Sequence, residues 1–379
     1  MALFSTFLFL LAGCSQQPNA EASVTPKSQP VVVNVNNEFD SRWPSTPQGR
    51  KVLIVWNKKY PEAKDLAEYY ARARGIPVDN IHMVDVVKKE ETHIDELKKN
   101  VFETIKAKIS SLKEPIDYIV LMKGMPIIVY EDSIEFSLDA YLAAMDKNFP
   151  RLSSKPNRSE LEKVVNPYFG KNEPFSHKKF GIYLVTRLDG YSFEDARKLV
   201  DNSLKAKPHK GPFFFDTLGE SFNGGWKLQN DELFQAGNLL KRKGFNTVIE
   251  STSKMVTPSE PVAGYAGWGS NDADFTREKY RAIRFLPGAI AETFVSTSAR
   301  TLMPVTTGQS VVTDLIQQGV TGVKGYVREP YTYALAKPEI LFDRYTSGYN
   351  LAESFYMSSP FMKWRDIYFG DPLCSPYSK

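Results

Sequence analysis

Short apolar runs recur along this chain. Most neighbouring runs are separated by a stretch whose apolar residues repeat every three or four positions. Runs at 51–56, 81–87, 116–122, 180–186, 212–216, 245–249, 261–267, 287–293 and 320–327 predict strands. Val52-Leu53-Ile54-Val55 is continuously apolar, as in a strand buried on both faces. Stretches 62–74, 94–112, 194–206, 231–243, 275–285, 309–318 and 351–357 predict helices, the first closed by Gly75. In 94–112 the apolar positions are Ile94, Leu97, Val101, Ile105 and Ile109, one face of a helix. Strands alternating with helices at this spacing predict an α/β fold, a mostly parallel sheet flanked by helices. From 149 to 179 the pattern fails, and Pro, Ser, Asn and Lys predominate. This reads as an insertion or long loop, either a lid or the seam between two α/β halves, 50–148 and 180–379.

Two strands organise the rest. The run 261–267 leads into Trp268-Gly269-Ser270-Asn271-Asp272, and 287–293 leads into Phe294-Val295-Ser296-Thr297-Ser298. In open α/β sheets, ligands gather beyond the carboxyl ends of the strands. The polar residues just past the strands are Asn57, Lys123, Arg187 with Asp189, Asp216, Ser270 to Asp272, Ser296 to Ser298, and Glu329. As a set they are candidates for one crevice. Singly, each is also what a turn or a helix cap prefers. Trp268 is equally suited to core packing, Asn57 to a capping turn and Lys123 to solvent. Arg187 with Asp189 suits a local ion pair, and Glu329 and Glu353 suit bonding to backbone amides.

The amino terminus has a different pattern. Residues 2–11 form an apolar run too short to span a membrane as a mature helix. It ends in Leu11-Ala12-Gly13-Cys14, which resembles the bacterial lipobox, where the Cys is lipidated. No Lys or Arg precedes the run, a departure from such signals. The resemblance implies an exported lipoprotein held by Cys14. Ser15 implies sorting to the outer membrane, facing the periplasm or the cell surface. Residues 15–49 are rich in Gln, Pro, Asn and Ser and read as a flexible tether. Within it, Val31 to Val35 could add an edge strand. Residues 50–379 are then the folded domain.

Composition narrows the function. A chain of 379 residues supports one large α/β domain or two modest ones. The net charge of +4 and scattered Lys pairs give no basic stripe, which argues against nucleic acid as a partner. Aromatic residues make up 13%, suited to a packed core or to a groove gripping an extended ligand. Besides Cys14 there is only Cys374, which reads as a small buried hydrophobe. The P-loop, dinucleotide and G-x-S-x-G signatures are missing. The four His are far apart with no paired spacing, so no metal site and no cofactor is expected. Asn271-Asp272-Ala273-Asp274 lacks the Gly and distal Glu of a calcium loop.

The order of elements, the Gly267-Trp268-Gly269-Ser270 turn, the Ser/Thr-rich turn after the next strand and Gly370-Asp371-Pro372-Leu373 resemble the caspase-like fold of gingipain-type cysteine peptidases. More closely, nearly all of 50–377 resembles a family of uncharacterised bacterial exported proteins. Leu53 to Asn57, Tyr69 to Pro77, Leu184 to Gly190, Gly267 to Asp272, Pro287 to Thr293 and Val323 to Pro330 carry that likeness. The peptidase resemblance implies a His in the first turn and a nucleophilic Cys after the next strand. Here Trp268 holds the His position, and Ser296, Thr297 and Ser298 occupy the region of the Cys. Indole N–H donates and cannot accept a proton, and a hydroxyl without a base is a poor nucleophile.

Three classes of function remain. The first is a binding protein whose degenerate crevice grips a peptide, a glycan or an envelope protein. Trp268 would be its platform, with Ser270, Asn271, Asp272 and Arg187 as polar contacts. The second is a hydrolase using Ser296 or Ser298 with Asp272, Asp189 or Glu292 as base, or a carboxylate pair acting on a glycan. The third is a purely structural role.

Overall fold

A computed structural model of the chain describes residues 43–378. Cys14, the apolar run before it and Val31 to Val35 lie outside the described residues.

The first α/β unit shows how sequence becomes structure. Strand β1 (Val52–Asn57) is apolar on both faces and is buried on both. Helix α1 (Pro61–Arg74) starts with Pro in its first turn and buries Ala63, Leu66, Ala67, Tyr70 and Ala71 along one stripe. Gly75 ends it at φ 62°, donating its N–H back to the last carbonyls. Trp43 packs here too, its indole N–H donating to the Ile76 carbonyl at 2.9 Å.

The chain continues through β2 (Ile81–Val84) and β3 (Glu91–His93). Then come α2 (Ile94–Leu97), a π-helical turn (Lys98–Glu103) and α3 (Thr104–Ser111). The single helix expected over 94–112 thus carries a π-turn in its middle. Next are β4 (Tyr118–Met122), β5 (Ile128–Glu131), β6 (Ile134–Ser137) and α4 (Leu138–Ala143). The expected insertion holds two short helices, α5 (Arg158–Leu161) and α6 (His177–Phe180). It is not a loose lid. Leu152, Leu161 and Val164 pack with Phe136, Phe361 and Trp364 in a second small core.

The second run is β7 (Leu184–Leu188), α7 (Phe193–Leu204), β8 (Phe213–Asp216), α8 (Lys227–Arg242) and β9 (Thr247–Glu250). It goes on through β10 (Val262–Gly267), α9 (Arg277–Arg281), β11 (Phe285–Thr293), α10 (Val312–Gln317) and β12 (Gly322–Tyr326). Helices α11 (Pro338–Thr346) and α12 (Leu351–Ser358) and strand β13 (Asp366–Gly370) finish it. The helix expected over 275–285 is only α9, because Phe285 already belongs to β11. Strand β7 starts later than expected, because Gly181 at φ 66° first ends α6.

Ten strands form one sheet in the order β2-β1-β4-β7-β13-β12-β11-β10-β8-β9. Strands from both sides of the insertion share it. The pairings β1 with β2 and β4, β4 with β7, and those linking β8 to β12 are parallel. Strand β13 is antiparallel to β12 and meets β7 at one bridge, Phe369 opposite Arg187. A small separate sheet, β3-β5-β6, was not foreseen. Among the described residues no helix is long and apolar enough to cross a membrane.

The centre of the sheet is ionic. Lys324 on β12 is fully buried and pairs with Asp366 on β13 at 2.7 Å. Its ammonium also donates to Ser359 Oγ at 3.0 Å and lies over the rings of Tyr326 and Tyr368. Glu292 on β11 accepts from Tyr326 Oη at 2.9 Å. Burial pushes Glu292 up to about 8, against the opposing pull of Lys324. One lysine balances one carboxylate, so Glu292 keeps its proton at neutral pH. It is a core acid, not a base for Ser296.

Replacing Lys324 by Met strands the Asp366 carboxylate, and should cost about 3–5 kcal/mol of stability. The double variant Lys324→Met/Asp366→Leu should recover most of that loss. Urea unfolding of the wild type, both single variants and the double variant measures this. Additive losses would contradict the pairing.

Candidate functional site

The turns that follow β10, β11 and β12 gather at one edge of the sheet. Gly269, at φ 50°, lets the Trp268 turn lie flat on the end of β11. A Cβ there would meet Ser310 Oγ at 2.7 Å and Val295 Cγ2 at 3.1 Å. Ser270 N–H donates to Ser310 Oγ at 3.1 Å, and Ser310 N–H returns a bond to Ser270 Oγ at 2.9 Å. Asn271 Nδ2 donates to the Phe294 carbonyl at 2.7 Å. Gln309 Oε1 accepts from the Thr297 hydroxyl at 2.6 Å, while its Nε2 donates to Asn271 Oδ1 at 3.3 Å. The two turns and the segment before α10 therefore form one rigid unit.

A cavity of about 90 Å³ opens against this unit. Trp268, Asn271, Phe294 and Ser296 line it, together with Trp226, from the loop before α8, and Glu329, Tyr331, Thr332 and Leu335 after β12. Trp268 is only 1% exposed, and its indole stacks on Trp226 with ring centroids 5.2 Å apart. Trp226 is 39% exposed and forms the outer lip. The Trp268 Nε1–H is buried and has no hydrogen-bond partner among the described residues. Tyr331 sits at φ 71°, ψ 150°, a rare conformation for a side chain of its size. Glu329 Oε1 holds its N–H at 2.9 Å, and its ring stacks between Tyr333 and Trp364.

The expected residues thus divide into two groups. Trp268, Asn271, Ser296 and Glu329 share the cavity, with Ser270 in the turn behind it. Asn57, Lys123, Arg187 and Asp189 do not line it. Asn57 is fully buried and ties loops together, donating to the Val86 and Gly124 carbonyls at 3.3 and 3.0 Å. Lys123 Nζ is bound by Asp189 Oδ1 at 3.1 Å and the Gly190 carbonyl at 2.6 Å. The expected Arg187–Asp189 pair is present at 3.8 Å, and Arg187 also makes a closer, fully buried pair with Asp139, Nε reaching Oδ2 at 2.8 Å. Arg187 also donates to the Met125 and Pro126 carbonyls, leaving it nothing for a ligand. Ser298 is fully buried, its Oγ accepting from the Tyr326 N–H at 3.2 Å.

Asp272 follows the cavity turn but is buried away from it, and neither carboxylate oxygen has a partner among the described residues. Burial raises Asp272 to about 7. Burial, then the charge of Asp272, raises Asp216 at the end of β8 to about 8. This is an acidic pair under the turn, separate from Ser296. Cys374 is buried, with burial pushing its thiol up to about 11. Asp371 of the Gly370-Asp371-Pro372 segment bonds Tyr70 and Arg74 of α1 and Ser203 of α7. Trp226, Phe294, Tyr331, Thr332 and Leu335 were not foreseen as cavity residues. A Trp in a Gly-rich loop, Gly224-Gly225-Trp226, was the one local signal.

Chemically, the cavity offers an unbonded hydroxyl and one carboxylate. Ser296 Oγ makes no hydrogen bond among the described residues, and Glu329 is the one lining carboxylate among them. The nucleophile–base hydrogen bond of general-base catalysis is not formed among the described residues. The site does offer stacked aromatic area and a lone buried N–H donor.

Neither family models nor curated protein sequences give a match. Among solved structures, a chain described as "Structure of Protease" matches at TM-score 0.51 and 14% identity, over 87% of this chain and 79% of that one. A periplasmic ribose ABC transporter structure from Conexibacter woesei aligns at TM-score 0.19 and 12% identity, over 86% and 93%, too loosely to bear on the fold. The chain therefore shares an α/β fold with a protease structure.

The acidic pair predicts a pH dependence. Asp216 and Asp272 titrate higher in the folded chain than the usual 3.8, so the folded state holds protons that the unfolded state has lost. Their stabilising effect is complete below pH about 4 and fades as pH rises toward about 8. Thermal unfolding should show the wild type losing midpoint temperature across that window. Asp272→Asn should flatten the decline and exceed the wild type at pH 8. Parallel curves for the two proteins would rule the pair out.

Proposed function

We propose that this protein is a lipid-anchored envelope protein that binds its ligand without cutting it. The observation that carries this reading is the Trp226–Trp268 stack beside a serine hydroxyl that is hydrogen-bonded to no base among the described residues. A liquid water occupies about 30 Å³. A hollow of about 90 Å³ thus admits one small group of a larger ligand, such as a proline ring or an acetamide. Aromatic faces would hold the group's flat side, and the free indole N–H complements a ligand carbonyl. Peptides and N-acetylated glycans both present such groups. The anchor at Cys14 and the outer-membrane location rest on the lipobox-like segment alone.

The alternative is a hydrolase, favoured by one observation: Ser296 is partly exposed in the cavity of a protease-like fold. Labelling with a fluorophosphonate probe separates the two. Binding predicts no covalent adduct, and an adduct lost in Ser296→Ala would replace it with the hydrolase. In parallel, titration of tryptophan fluorescence with proline-rich peptides and chitin oligosaccharides should show saturable quenching by one probe class. Trp226→Ala should weaken that by about tenfold or more, as for an aromatic anchor, and Ser296→Ala should leave it intact. Cys14→Ser should move the protein from the membrane fraction to the soluble one on cell fractionation.

A further inference from the structure

Beyond the crevice, on the outer side of the 297–310 segment, two arginines share one short piece of backbone. Arg277 Nε donates to the Thr306 carbonyl at 3.0 Å and its Nη2 to the Gly308 carbonyl at 2.6 Å. Arg300 Nη2 donates to the Thr307 carbonyl between them at 3.3 Å, and its Nη1 to the Thr297 carbonyl at 3.1 Å. Two guanidiniums thus flank three consecutive residues. Neither forms an ion pair among the described residues. Arg277 Nη1 is buried and has no partner at all among them.

The neighbouring carboxylates are committed elsewhere. Asp274 pairs with Lys279 at 2.5 Å. Asp314 accepts from Arg281 at 2.9 Å and from Tyr191 at 2.7 Å. Glu278 is exposed, and its carboxylate is engaged by its own backbone N–H and by Thr276. Two like charges held by one loop repel each other unless an anion lies between or beside them. Arg300 feels this: burial first, and Arg277 second, hold its guanidinium below the usual value.

We infer that Arg277 and Arg300 form a binding site for an oxyanion, a carboxylate or a phosphate. The guanidinium N–H groups not used on the loop, Nη1 of Arg277 and Nε of Arg300, suit the oxygens of either group, and the carbonyl bonds fix both side chains in advance. The site adjoins the crevice through a continuous chain of contacts. Thr297 bonds Gln309, and Gln309 bonds Asn271 on the cavity wall. A ligand anchored beside Trp268 could carry its acidic group here, but the site stands whether or not that crevice is occupied.

The test uses the full chain in detergent, with chloride replaced by inorganic phosphate or by glutarate at constant ionic strength. Binding is read by isothermal titration and by the arginine Nε–H signals in NMR. Expected is saturable binding of one of the two anions, with the Nε–H signals of Arg277 and Arg300 shifting together. Arg300→Gln should weaken that binding by about tenfold or more, and Arg277→Gln likewise, since each removes a charged fork. Arg284→Gln should leave it unchanged. Arg284 also lacks an acidic partner, and donates instead to Gln318 and to backbone carbonyls. Phosphate binding would mark a phosphorylated ligand, and glutarate binding a carboxylate-bearing one. No saturable binding of either anion, or an equal loss in Arg284→Gln, overturns the site. Should Arg300→Gln unfold the loop, Arg300→Lys keeps the charge but loses the fork, and unweakened binding there also overturns it.

Discussion

The last strand of the chain lies in the middle of the sheet, and everything else is arranged around that placement. Strand β13 separates β7 from β12, and so joins the strands β2, β1, β4 and β7 to the strands from β12 to β9. A central position buries its polar side chains. Asp366 finds its counterion in Lys324, and Tyr368 lies 4.6 Å from Tyr356 between ring centroids. A buried charge without a partner is strongly destabilising, which fixes the register of β12 against β13. The same pair accounts for Glu292, a carboxyl that keeps its proton because the one lysine in reach is already balanced.

With the two sets of strands joined, their carboxyl ends meet along one edge. Glu90, after β2, accepts from Thr301 Oγ1 and the Leu302 N–H in the segment that follows β11. Arg328, after β12, reaches Glu91 and Glu135 in the small sheet. The polar residues along this edge divide the work. On one flank Asn57, Lys123, Arg187 and Asp189 spend their hydrogen bonds on loop carbonyls and on one another. On the other flank Trp268, Asn271 and Ser296 remain beside an open cavity. The difference is one of supply. Loops without regular backbone pairing must find donors, and buried side chains provide them.

The crevice is furnished with surface for contact. The Trp268 indole brings bulk and a donor, and an indole offers no proton acceptor. A cavity walled by aromatic rings and held by reciprocal serine bonds is preorganised for contact. The Arg277–Arg300 pair extends that character outward, since its charge is held in place by backbone carbonyls and stays available to an anion.

Periodicity alone made the α/β class legible, along with most strands and helices α1, α7, α8 and α12, because burial on two faces and on one stripe leaves distinct patterns. The strand-end turns were legible as well, since Gly269 and the polar residues around it signal a tight turn at the end of an apolar run. The position of β13 was not, because strand order depends on which buried charges find each other across the sheet. Nor was the division of the polar tips. Arg187 reads the same whether it faces solvent or Asp139, and only packing decides. The rest of the cavity lining, with Trp226 and Tyr331, comes from segments distant in sequence from Trp268. Contacts of that kind carry no local pattern, and only the tertiary structure could bring them together.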